Sequence, residues 1–301
     1  METVIYNGWS NCLRLSNQLV DLIIPLDIGL RVMRYGFIGE ENEFFEITED
    51  QGMTGGETFR YYGGHRLWHA PEAKPRTYYP DNEPVGLQDH GTFVRLIQPI
   101  EKSTGIQKEI DISLSEVSTH VRLVQRLRNT TLWTLHLAPW GLTMMAAGGT
   151  AILPMPPRGN HPENLQPVNS LALWAYTDMS DTRFIWGRQY MLVRQDTQIE
   201  LPLKIGARIP SGWAGYARRG HLLIKRFHDG GLGDYPDLGS NVEVFTNADM
   251  LEVETLGPLQ TLPPGGEVEH VEDWYLFREV PTPHNDTQVE RHILPKILET
   301  D

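Results

Sequence analysis

The chain has 301 residues, with 39 acidic side chains against 26 basic ones and a formal net charge of −13. That excess argues against nucleic acid or an anionic membrane as partner, since both call for a basic surface, and 40% hydrophobic content with eight Trp excludes a disordered chain. A single cysteine, Cys12, excludes an intramolecular disulfide framework and points to a reduced, cytoplasmic setting.

The opening METVIYNGWSNCLRLSN lacks the basic and apolar regions of a signal peptide. The apolar run LVDLIIPLDIGL carries Asp21 and Asp27 and is shorter than the ~20 residues a spanning helix needs. Residues 40–50 hold six acids in eleven positions, which reads as a solvated loop or strand edge, a cation site being the alternative. From residue 92 onward, runs of period 2 recur between turn residues drawn from 28 Gly and 21 Pro. In 106–114 the even positions read Ile, Lys, Ile, Ile, Leu and the odd ones Gln, Glu, Asp, Ser, so one face meets a core and the other water. Strand-like runs also cover 92–100, 120–127, 132–138, 171–177, 190–194, 222–227, 242–246, 250–256 and 268–277. The proline-rich stretch 154–167 predicts an irregular surface segment or cleft rim. Helical periodicity is confined to 286–294, where Val289 and Ile293 share a face and Pro295 ends the turn. The spacing predicts an all-β fold, a large antiparallel β-sandwich with few short helices, and residues 1–301 form a single domain in this reading.

Two stretches carry residues suited to chemistry. RYYGGHRLWHAPE, 60–72, places Arg60, His65, Arg66, Trp68, His69 and Glu72 around the flexible Gly63-Gly64 pair. Such a mix suits a sugar, whose apolar ring faces stack on Trp while Arg and His donate to hydroxyls; the alternative is a twisted turn whose aromatics cap the core. In 250–256, Glu252, Glu254 and Leu256 point one way and Leu251, Val253 and Thr255 the other. Two carboxylates therefore share a face about 6.5–7 Å apart along the strand. His136 could reach the same cleft from 132–138, although a histidine on a strand is commonly structural. His65 and His69, with Glu72 or His90, have a spacing open to zinc, but Pro71 and the glycine lead-in argue against helical support, and no metal or cofactor is expected.

In chain order, VDLIIPLDIGLRVMRYGF with Gly29 and Arg31, then ENEFF, GGHRLW, HGTFVR at His90–Arg95, RNTTLWTLHLAPWGL and MLEVETLGPLQTLPPGGEVEHVEDWYLF resemble segments of the galactose mutarotase-like superfamily, the aldose 1-epimerases and their relatives, over roughly residues 20–278. The resemblance implies a large antiparallel sandwich with a concave sugar site. It also implies a glutamate base acting on the anomeric hydroxyl and a histidine acid acting on the ring oxygen. Glu254 matches that base, His90 the histidine of the HGTFVR segment, Arg60 the arginine before the glycines and Arg95 the closing arginine; His65 is an alternative acid. Arg66, Trp68, His136, Trp140 and Glu252 join Arg60 and Arg95 as expected substrate contacts. Where the family has His-Pro-Tyr-Phe, this chain has Ala138-Pro139-Trp140-Gly141. The expected function is therefore carbohydrate binding with isomerase activity of the aldose 1-epimerase type. The alternatives are a non-catalytic sugar-binding protein, or a lyase or hydrolase using Glu252 and Glu254 as paired carboxylates.

Overall fold

In a computed structural model, which describes residues 1–228, 230–231 and 233–300, strand makes up 44% of the chain and helix 6%. The fold is an all-β sandwich. The strands in chain order are β1 (Glu2–Tyr6), β2 (Trp9–Ser16), β3 (Val20–Pro25), β4 (Arg31–Val32), β5 (Arg34–Phe37), β6 (His65–Ala70), β7 (Gly86–Asp89), β8 (Val94–Ile97), β9 (Ile106–Leu114), β10 (Val121–Asn129) and β11 (Leu135–Ala146). They continue as β12 (Thr150–Pro154), β13 (Leu171–Leu173), β14 (Phe184–Trp186), β15 (Tyr190–Arg194), β16 (Leu203–Ala207), β17 (Trp213–Arg218), β18 (His221–Phe227), β19 (Val242–Thr246), β20 (Met250–Leu256), β21 (Gln260–Leu262) and β22 (Glu267–Phe277).

A ten-stranded sheet runs β14-β15-β12-β17-β18-β22-β10-β9-β8-β7, and an eight-stranded sheet runs β13-β16-β19-β20-β11-β6-β4 with β21 beside β11. The pairings along both are antiparallel. A smaller sheet, β1-β2-β3-β5, flanks them. The facing sides of the large sheets share one core, with Leu67, Met145 and Val253 from one and Ile110, Leu123 and Leu276 from the other. On β22 the alternation is direct: His270, Glu272, Trp274 and Leu276 are buried and their neighbours are not. In the eight-stranded sheet β6 and β20 are buried on both faces, so the clean alternation of a half-solvated strand is lost.

Three expectations change. Residues 65–70 form a buried strand, not a loop: Gly63 and Gly64, at φ 111° and 70°, turn the chain hard against Phe45 and Val32 and launch β6. The strand expected at 132–138 begins at Leu135 and continues through Pro139 to Ala146, because the ladder partner changes from β21 to β20 at that proline. Helix does not stop at Pro295 but continues over Leu294–Ile297, where the proline occupies the first turn; Val289 and Ile293 are fully buried. Among the described residues, no helix is long and apolar enough to cross a membrane.

Candidate functional site

Alternation fixes what the outer face of the eight-stranded sheet presents. β20 sends Glu252 and Glu254 outward, with Glu252 flanked in register by Met144 and Phe245, and Glu254 by Leu142 and Glu243. β6 adds Arg66 and Trp68, β11 adds Trp140, and β16 adds Lys204. Trp68 and Trp140 meet edge to face at 5.2 Å. Tyr61, Tyr78 and Tyr176 come from loops and complete a cavity of about 630 Å³, within the usual range for small-ligand sites. A wider hollow of about 750 Å³ lies between the β2–β3 turn and the β7–β8 hairpin, lined by Leu19, Phe93, Leu114 and Val117 among others. It brings together no group of titratable side chains comparable to that of the cleft.

Lys204 organises the floor. Its Nζ stands 2.7 Å from Glu243 and 3.0 Å from Glu254, and 4.7 Å from the ring centres of both Trp140 and Trp174. Burial would lower its pKa, yet Glu254 and Glu243 hold it well above the ordinary lysine value, so it stays an ammonium. Trp140 Nε1 donates to the same Glu254 Oε2 at 2.8 Å, which leaves Oε1 buried and uncommitted. Burial, then the Glu254 charge, pushes Glu243 well above the carboxylate range. Glu252 differs from both. It lines the cavity, is only 7% exposed, and has no hydrogen-bond or ion-pair partner among the described residues. Burial and the neighbouring Glu254 push it up to about 8, so at neutral pH it is mostly the neutral acid.

The expected site residues divide between this cleft and other places. Arg66, Trp68, Trp140, Glu252 and Glu254 stand together on the outer face. The Arg66 guanidinium lies 5.1 Å from the Trp68 ring, its Nη2 donates to the Tyr61 carbonyl, and its Nε and Nη1 are buried without partners. His65 is corrected: it starts β6 on the opposite face, so its ring enters the sandwich, hydrogen-bonded to Thr143 and Gln125 at 2.9 Å each. Burial drops its pKa to about 4. His90 stacks on Phe93 at 4.5 Å, exposed on the β7–β8 hairpin of the other sheet, and Arg95 on β8 pairs with Asp111 at 2.6 Å. Arg60 turns to the Gly55 carbonyl and Tyr62 hydroxyl. His136 pairs with Thr261 at the far end of β11 and is exposed, about 13 Å along the strand from Trp140. Glu252, expected as a substrate contact, lines the cavity itself.

His65 and His69 share a face of a strand about 13 Å apart, which no single ion spans, and among the described residues no three His, Cys, Asp or Glu side chains cluster as metal ligands. Residues 40–50 form ion pairs with the neighbouring strands: Glu41 bridges Arg218 and Arg219, and Glu43 meets His221 at 2.6 Å. Lys204, Glu243, Trp174 and Tyr176 were not singled out from the sequence. One usable signal existed for Lys204, a cation inside the apolar run Leu203–Ala207.

No family model and no curated protein matches the chain. Solved structures do. A Klebsiella pneumoniae protein provisionally named an aldose 1-epimerase superposes with a TM-score of 0.62 at 11% identity, covering 99% of this chain and 86% of its own. The Slr1438 protein of Synechocystis gives 0.59 at 13% identity, over 93% of this chain and 100% of its own. A galactose mutarotase-like protein of Lactobacillus casei gives 0.57 at 9% identity, over 89% and 100%. The fold is thus one that this chain shares with these solved structures.

Proposed function

We propose that the cleft binds a free sugar or sugar derivative and interconverts its anomers. The observation that carries this is the pair of outward carboxyl groups on β20 in unlike surroundings, below an aromatic wall. Two carboxyl groups in unlike surroundings can divide acid and base roles. Glu252, held neutral by burial, donates to the ring oxygen. Glu254, charge-paired with Lys204 at 3.0 Å and carrying an uncommitted Oε1, is the base toward the anomeric hydroxyl. The ring opens, the aldehyde turns about the C1–C2 bond, and closure gives the other anomer. Trp68 and Trp140 line the cavity beside these carboxyl groups.

The test is anomer interconversion across a sugar panel, followed by polarimetry or NMR. Glu252→Gln and Glu254→Gln should each lower the rate about 10²–10⁴-fold while binding persists, the usual range for general acid–base groups. Interconversion at the unaltered rate in both variants would overturn the reading.

A second reading, sugar binding without turnover, draws on one observation: among the described residues, no histidine lines the cavity. Binding across the panel with no interconversion by the unaltered protein would favour it.

A further inference from the structure

The charge of the cleft narrows the ligand class. Its lining carries Glu46, Glu49, Glu72, Asp249 and Glu252 against Lys204 alone, and Lys204 is already committed to Glu243 and Glu254. An anionic ligand would enter against an excess of carboxyl groups over cations, even though burial pushes Glu46 and Glu252 toward their neutral forms. Two of these have hydroxyl donors, Tyr6 on Glu46 and Tyr78 on Glu72. Glu252 has none, although it is more than nine-tenths buried and faces the cavity. Its carboxyl group faces the cavity, where a ligand that brings a donor can pair with it. The walls favour positive charge as well. Aromatic faces here already hold two cations, Lys204 at 4.7 Å from Trp140 and Arg66 at 5.1 Å from Trp68.

Resting on the carbohydrate reading above, we propose that the ligand is an amino sugar whose ammonium group pairs with Glu252, and that sugar phosphates and uronic acids are refused. The groups that act on Glu252 are Glu254 and Glu72, which oppose its ionisation, and Lys204 and Arg66, which favour it. An arriving ammonium adds to the second set. Binding therefore converts Glu252 to its carboxylate, releases its proton to solvent and removes the acid of the interconversion, so an amino sugar is held as a ligand that is not turned over while neutral sugars are interconverted.

The experiment is calorimetric titration at pH 7, in two buffers of different ionisation enthalpy, with D-glucosamine and D-galactosamine set against D-glucose, D-galactose, glucose 6-phosphate and glucuronate. At least one amino sugar should bind about tenfold or more tighter than its parent, the range of a hydrogen bond to a charged group. Proton release should accompany it, and the preference should shrink with added salt. In Glu252→Gln the ratio of amino-sugar to parent affinity should fall toward one. Should that variant not fold, proton release and salt dependence in the unaltered protein report the same pairing. Parent sugars that bind as well as the amino sugars, or tighter binding of the phosphate or uronate, would overturn the amino-sugar assignment and leave the carbohydrate reading standing. Absence of binding by every sugar in the panel would overturn both.

Discussion

His69 is a buried base with nothing to bond to. It is 1% exposed on the inner face of β6, and among the described residues neither ring nitrogen has a partner. Burial, with Lys108 and Arg76 nearby, pushes its pKa down to about 3. In the unfolded chain the same ring titrates at an ordinary value of about 6.5. Below that pH the unfolded state takes up a proton that the folded state refuses, so this stability is full above about pH 6.5 and is lost as pH falls toward 3. At pH 5 the difference amounts to about 2 kcal/mol. His69→Leu, of similar size, removes both the titration and the orphaned nitrogens. Urea unfolding should find the variant at least as stable as the parent at pH 7.5, with a further gain of about 2 kcal/mol at pH 5. An equal loss at both pH values would contradict this. His65, at about 4, leaves part of the acid sensitivity in place.

At the scale of single strands, β6 is the element whose sequence misleads. Its residues His65, Arg66 and His69 read as polar loop, yet every position of the strand is buried, so no period-2 signal survives. β9, β15, β19 and β20 follow their sequence patterns to the residue, because hydrophobic runs and flanking turn residues mark them. Glu252 and Glu254 were legible for the same reason: once 250–256 is a strand, alternation puts both on one face. The rest of the site depends on which strand lies beside which, and spacing carries no record of that. Lys204 reaches Glu254 only because β16, β19 and β20 are neighbours, and His65 leaves the site only because β6 starts one residue out of phase with Arg66. Gly63 sets that start. A Cβ there would stand 2.2 Å from the Phe45 carbonyl oxygen, at a φ of 111°. Gly63→Ala should lower the unfolding free energy by about 1–3 kcal/mol through strain and displacement of β6, measured by urea denaturation. Stability within a few tenths of the parent would show that the turn can relax.

Across the whole molecule, the two large sheets are joined by polar contacts as well as by the apolar core. Lys225 of β18 meets Glu272 of β22 at 3.0 Å and donates across the sandwich to Thr143 of β11 at 2.8 Å and to the Val253 carbonyl of β20 at 3.1 Å. Thr255 of β20 donates to Glu272 and bonds His270 at 2.7 Å. Burial lowers the Lys225 pKa, whereas Lys225 and His65 hold Glu272 well below the carboxylate range against burial. Removing one partner strands the other charge. Lys225→Met or Glu272→Leu alone should each cost about 3–5 kcal/mol, while the double variant should recover much of that loss. Additive losses in thermal or urea unfolding would show that the pair is not coupled. These contacts use the inner residues of the strands whose outer residues form the cleft: Thr143 beside Leu142, Val253 and Thr255 around Glu254, His65 beside Arg66. Inserting one residue into β20 would therefore exchange the two inventories, carrying Glu252 and Glu254 into the sandwich and Val253 into the cleft. Sequence length is consequently constrained here more tightly than sequence identity. A scan of single-residue insertions and deletions should find β6, β11 and β20 intolerant, with length changes accepted in the exposed stretch 157–167.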